Sequence, residues 1–262
     1  MQKGNFKKIM RTLIFSKRNL TELLRDPLSY IFCLGFPVIM LIIMTVVNES
    51  IPPQANMTIF NIDSLSSGIA VFGFTFVMLF TALHISKDRG SAFLARLYAS
   101  PLESYEFIAG YTLPVMIIAF FQCIITYAAS FIISIITGNP LSISHIIVSV
   151  LILMPSAFMF TGFGLLFGSL FNDKAAPGLC SIIITLSCML GGVWMDVDNL
   201  KGGFKNLCIF LPFYHSVKTG RMAVSGNYQD FPKSMLIVCV YAAAIYILAV
   251  AAFNSKKLKD FS

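Results

Sequence analysis

A chain of 262 residues that is 57% hydrophobic and only 12% charged, against about 25% charged in a soluble domain, is not an ordinary water-soluble globule. Its mean hydropathy is +0.81, and its net charge of +7 comes from basic residues that flank apolar runs, so the charge does not point to nucleic acid. A transmembrane β-barrel would show alternating segments of about 10 residues, and the sequence has none.

The first predicted element is a helix within residues 1–28. Phe6, Ile9, Met10, Leu13 and Ile14 fall at helical spacing, Leu20, Leu23 and Leu24 extend the stripe, and Lys7, Lys8, Arg11, Lys17 and Arg18 surround it. This is the pattern of a basic amphipathic helix lying on an anionic leaflet, and an orientation signal would look the same. It is not the pattern of a signal peptide, because the first apolar run starts late, is long, and is followed by further spans. Pro27 ends the helix.

Six segments then lack Asp, Glu, Lys and Arg: 29–48, 65–86, 107–137, 143–171, 175–195 and 234–255. Each reaches the roughly 20 residues that a hydrocarbon core of about 30 Å requires. One charge at mid-span would cost about 2.5–3.5 kcal/mol, so six charge-free runs predict six membrane spans. Gly35 and Pro37 should kink the first. Residues 48–64 make a short outer loop without a basic residue, and His84 closes the second span as an interfacial polar residue. Gly138-Asn139-Pro140 predicts a tight turn after the third span, which contains Pro114. In the fourth, Gly164 and Gly168 have the spacing that lets helices approach closely. Asn172-Asp173-Lys174 is a short turn that sets spans four and five side by side.

After the fifth span, residues 191–232 hold an apolar run, 207–214, too short to cross, which suggests a re-entrant or interfacial hairpin. Trp194 and Tyr214 would sit at the headgroups. Lys256, Lys257 and Lys259 anchor the last span. Of the 19 Lys and Arg residues, only the five between Lys201 and Lys233 fall on the outer side, which places both termini in the cytoplasm. The six cysteines form no CxxC pair and read as small apolar fillers.

The chemistry-bearing stretch is Ser86 to Tyr111. Charges of both signs surround a short amphipathic helical pattern of Phe93, Leu94, Leu97 and Tyr98, stopped at Ser100-Pro101. Spacing alone fits a helix lying in the lipid interface as well as one that touches a partner. The run Lys87-Asp88-Arg89-Gly90, then Leu94, Arg96, Leu97, Ser100-Pro101, Glu106 and Gly110, resembles the first cytoplasmic loop of the type-2 ABC exporter permeases. Arg25-Asp26-Pro27 with Pro37, and Leu211-Pro212 followed by Arg221, are similar to the same family's lead-in to its first span and its re-entrant half-helices. The family usually has Glu where this chain has Lys87 or Asp88.

The resemblance implies an all-α polytopic membrane protein with six transmembrane helices. Residues 1–28 would be the cytoplasmic amphipathic helix, 29–255 the permease domain with coupling loop 87–106 and re-entrant segment 191–232, and 256–262 a cytoplasmic tail. It implies docking of an ABC ATPase through Arg89, Phe93, Arg96, Leu97 and Pro101. Two ATPase copies and a second permease, identical or a sister chain, would complete the transporter in the plasma membrane. ATP and Mg would bind the ATPase, with no cofactor on this chain. Cargo would meet the first, second and fifth spans, where Thr75, Thr81, Thr185 and Ser187 are sparse polar groups, favouring an amphipathic or hydrophobic drug, antimicrobial peptide or lipid-like molecule.

The remaining residues agree with that division of labour. No GxxxxGK[ST] phosphate loop, metal-spaced cluster or nucleophile elbow occurs. The spans carry none of the charges that an ion-coupled carrier uses at mid-membrane, so energy for uphill transport has to arrive from another chain. An ion-coupled carrier or channel, a polysaccharide-exporting ABC permease and an intramembrane enzyme are the alternatives.

Overall fold

In lipid every backbone N–H and C=O must be satisfied internally, so apolar runs separated by short polar breaks fold as helices. The computed structural model describes residues 2–52, 58–90 and 103–259. Its helices are α1 (Gln2–Leu24), α2 (Pro27–Ser50), α3 (Ile62–Arg89), α4 (Ser104–Ile136), α5 (Ile143–Ile152), α6 (Met154–Leu170), α7 (Ala176–Leu190), α8 (Gly202–Phe210), α9 (Pro212–Ser225) and α10 (Phe231–Lys259). Among the described residues there is no strand. The chain is an all-α polytopic membrane protein.

Among the described residues, five segments are long and apolar enough to cross a membrane: α2, α3, α4, α5 with α6, and α10. The sixth apolar helix, α7, has 15 residues, about 22 Å at 1.5 Å per residue and short of a core of about 30 Å. The window 175–195, expected as a full span, is therefore helical only to Leu190. The chain then turns through Gly191 and Gly192, the latter at φ 79°, a conformation that strains any side chain. Segment 191–232, expected as a hairpin, contains α8 and α9.

Local chemistry accounts for the breaks. Asp26 caps α2 by accepting from Leu28 N at 3.1 Å and Ser29 Oγ at 2.8 Å, with Pro27 at the first position, where its missing N–H costs nothing. The kink expected at Gly35 and Pro37 is a π-helical turn, Ile31–Gly35, whose wider winding lets the proline ring clear the turn before it. α5 and α6 are one span of 28 residues interrupted at Leu153, just ahead of Pro155.

Packing centres on α3, which touches α2, α4, α6, α7 and α9. Gly164 and Gly168 make the approach of α6 possible. A Cβ at Gly164 would lie 2.5 Å from the Met78 carbonyl oxygen, and one at Gly168 would lie 2.8 Å from that of Ala82. On the other side of α6, Gly162 admits Tyr246 and Ile245 of α10. α9 runs between α3, α5, α7 and α10, burying Phe213, Tyr214, Val217 and Ala223. His215 Nε2 lies 2.8 Å from the Ile209 carbonyl, which can only accept, so Nε2 carries the proton and Nδ1 accepts from Ser234 Oγ at 3.2 Å. Trp194 packs on Phe72 at 5.5 Å, and Tyr214 donates to Asp198 at 2.6 Å.

Candidate functional site

α3 ends at Arg89 and α4 begins at Ser104, so whatever grips those two ends decides what a force on the loop between them would move. Phe93, Arg96, Leu97 and Pro101 fall in 91–102, outside the described residues. α1 holds both flanks.

α1 crosses α4 on a face made by Phe15, Asn19 and Leu23, one residue per turn and all buried. The crossing is close because residue 110 is glycine: a Cβ there would lie 2.3 Å from the Phe15 ring. Asn19 Nδ2 donates to the Gly110 carbonyl at 3.1 Å. Phe15 stacks on Phe107 at 5.2 Å and meets Tyr111 edge-on at 5.0 Å, and Phe107 stacks on Phe253 of α10 at 4.1 Å. Such pairs contribute about 0.5–1.5 kcal/mol beyond their buried area. The stripe expected on a leaflet remains uncovered, with Ile9, Leu13 and Ile14 all more than half exposed.

At the near end of the loop, Arg18 reaches both oxygens of Asp88, at 3.2 and 3.3 Å, and donates to Glu22 at 2.6 Å. Tyr111 donates its hydroxyl to Asp88 at 2.6 Å. Asp88 is buried, and charge-assisted bonds of this kind contribute about 1.5–3 kcal/mol each. His84 joins the cluster, its Nε2 3.8 Å from Glu22 and its ring 5.6 Å from Tyr111. Glu22, His84 and Asp88 present potential metal-ligand atoms within 4.8 Å of one another. Arg18 already lies against both carboxylates, however, so a guanidinium supplies the positive charge that a metal would bring.

The far end is held by the first turns of α1. Lys8 pairs with Glu103, and Arg11 lies 3.6 Å from buried Glu106. Glu106 also closes a capping box, accepting from Glu103 N at 2.8 Å. The hydrogen bond from Lys8 holds the Glu103 carboxyl below the usual carboxylate range and raises Lys8 itself. Ser104 bonds to Asn254 of α10.

Arg89, expected at a docking surface, directs one guanidinium nitrogen at α6. Its Nη1 lies 3.2 Å from the Gly168 carbonyl oxygen and 3.3 Å from that of Phe171, with Ser169 O between them. Consecutive residues thus face different helices: Asp88 faces α1 and α4, and Arg89 faces α6.

The four hydroxyls singled out for cargo each donate to their own helix. Thr75 reaches Phe72 O at 2.6 Å, Thr81 reaches Val77 O at 2.6 Å, Thr185 reaches Ser181 O at 2.9 Å and Ser187 reaches Ile184 O at 2.9 Å. Thr75, Thr81 and Ser187 are buried and Thr185 is exposed. Thr81 borders a crevice of about 20 Å³ with Leu23, Cys33, Val77 and Val115, room for a water molecule and not for an amphiphile.

The sequence reading missed Asn19, Tyr111 and the pairing of Lys8, Arg11 and Arg18. These partners lie 23 to 95 residues from the groups they bind. One signal was available. Residues 1–28 carry seven Lys and Arg against two acidic residues, while acidic Asp88, Glu103 and Glu106 bracket the loop.

Residues 10–224 match a family described as ABC-2 type transporter. The chain is also 21% identical over 248 residues to a Bacillus subtilis (strain 168) protein named "Putative transport permease YvfS", covering 90% of this chain and 95% of that one.

Proposed function

The chain belongs to the ABC-2 type transporter family, a membrane subunit partnered with an ABC ATPase, and on that premise we propose that it is the permease of an exporter. It moves an amphipathic or hydrophobic molecule, such as a drug, an antimicrobial peptide or a lipid-like compound, out of the cytoplasm. A second permease, identical or a sister chain, and two ATPase copies complete the transporter in the plasma membrane. Both termini are cytoplasmic, and 1–28 lies on the inner leaflet ahead of the permease domain 29–255. ATP and Mg are bound and turned over on the ATPase, and this chain has no catalytic role.

The observation that carries the reading is the grip on both ends of the loop. Asp88 and Arg89 on one side and Glu103 and Glu106 on the other are fastened to α1, α4 and α6. A loop held in this way transmits a push into the spans, whereas a loosely tethered one would absorb it. Docking is assigned to Phe93, Arg96, Leu97 and Pro101; Arg89, whose guanidinium is turned onto the end of α6, stands apart from that set. Of the four hydroxyls assigned to cargo, Thr185 is exposed in this conformation, and Thr75, Thr81 and Ser187 would meet cargo only after the spans rearrange. For ATP to drive the change, nucleotide must favour one conformation of the complex over the other.

The test is a tagged purification with the ATPase co-expressed, followed by ATPase assays. Replacing Phe93 and Leu97 with Asp should abolish stimulation of the ATPase while leaving membrane insertion intact. Undiminished stimulation in the double variant would remove the docking assignment.

A further inference from the structure

We propose that Arg89 is a positioning residue that couples the loop to α6, and that its contribution to ATPase binding is small; this rests on the permease reading above. The last four carbonyls of a helix have no partner in that helix and carry the negative end of its dipole. α6 has no basic residue in its last turn. The cation that meets those carbonyls comes from α3: Arg89 Nη1 bonds Gly168 O and Ser169 O in the last turn and Phe171 O just beyond it, 79 to 82 positions later in the chain.

The setting explains what this contact accomplishes. Gly164 and Gly168 bring the α6 backbone against Met78, Thr81, Ala82 and Ile85 of α3, and Gly162 receives Tyr246 of α10. α3, α6 and α10 therefore pack as one slab, and Arg89 closes the slab at the point where the loop leaves it. One residue earlier, Asp88 is bound to Arg18 of α1 and Tyr111 of α4. Without Arg89, a push on the loop would still move α1 and α4 through Asp88, but among the described residues α3 would reach α6 through apolar contact alone. A guanidinium suits this position because its donors are fixed in a plane and it stays charged at every working pH.

The experiment uses the full chain in lipid nanodiscs with its ATPase and measures two quantities: the affinity for the ATPase and the ATPase rate at saturation. For Arg89→Ala the expectation is an affinity within about twofold of wild type and a stimulated rate lowered about tenfold, inside the range of known coupling free energies. Arg89→Lys should recover much of the rate, since an ammonium also donates to helix-terminal carbonyls, while Arg89→Gln should behave like Ala. Affinity falling in step with rate would make Arg89 a docking contact and overturn the proposal. An unchanged rate in Arg89→Ala, or a Lys variant no better than Ala, would overturn it as well. If Arg89→Ala does not fold, the Lys and Gln pair carries the same comparison. Failure of any ATPase to bind the wild-type chain would instead overturn the permease reading.

Discussion

α2 and α3 are both apolar spans, with mean hydropathy of 2.6 and 2.0 over their best windows, yet 17% of the α2 window is buried against 72% of that in α3. Hydropathy ranks them the wrong way for burial, because lipid and protein interior are equally apolar and neither is distinguished by a transfer scale. The difference lies in side-chain size. α3 carries Ser66, Ser67, Gly68, Ala70, Gly73 and Ala82 on faces that other helices reach, and receives Gly164 and Gly168 from α6. α2 presents Ile39, Ile42, Ile43 and Val46, about half exposed each. The small-residue helix is the hub, and the branched-aliphatic helix lies outside it.

The most direct way to break the hub is to add one methyl group. In Gly164→Ala the new Cβ would sit 2.5 Å from Met78 O and 2.7 Å from Thr81 Cβ, and a backbone carbonyl in a helix cannot move aside. Overpacking of this kind costs about 1–3 kcal/mol. Gly178 of α7 is the control, since a Cβ there meets nothing within 4 Å. Gly178→Ala should gain about 0.5–1 kcal/mol from helix propensity. Thermal unfolding in detergent should therefore move in opposite directions for the two variants. Equal midpoints would show that α3 and α6 do not approach closely.

These two helices also show how far the sequence could be read. The helical class, the turn at Gly138 and the close approach at Gly164 and Gly168 follow from composition and local chemistry, which act within a few residues. The length of α7 did not follow. Gly191 and Gly192 look like any apolar span's small residues until the left-handed φ of Gly192 is known. On α1 the visible stripe Ile9-Leu13-Ile14 is the uncovered face, while the face that packs on α4 has polar Asn19 at its centre and so does not register as an apolar stripe. Arg89 was legible as a charge beside the loop, but its target is the set of unsatisfied carbonyls at the end of α6, which have no side-chain signature.

An effect of similar size is expected where the hub meets the loop. Asp88→Asn removes the charge that Arg18 faces and keeps an acceptor for Tyr111. The loss should be about 1.5–3 kcal/mol, the usual scale for a hydrogen bond to a charged group. Arg18→Gln alone should cost a comparable amount. The double variant should cost less than the sum, with a coupling of about 0.5–3 kcal/mol, as for other pairs in direct contact. Strict additivity in that cycle would mean that the two side chains do not support one another, and that α1 is held by its aromatic contacts, by Asn19 and by the Lys8 and Arg11 pairs.

The smallest effect on the isolated chain is expected at α2. Ile39 and Ile43 lie one turn apart, 51% and 45% exposed, so truncating both to Ala removes little surface that folding buries. Substitutions away from buried features usually stay within about 0.5 kcal/mol, and the unfolding midpoint of the monomeric chain should barely move. The same pair is informative for association. If α2 forms part of the contact with the second permease, Ile39→Ala with Ile43→Ala should lower energy transfer between labelled chains in a bilayer while leaving that midpoint in place. If the face meets only lipid, neither quantity changes, because exchanging branched side chains for methyl groups in hydrocarbon carries no hydrophobic penalty of its own. A loss of stability above about 1 kcal/mol would show a third arrangement, in which α2 packs inward and the contrast with α3 is not a property of the folded chain.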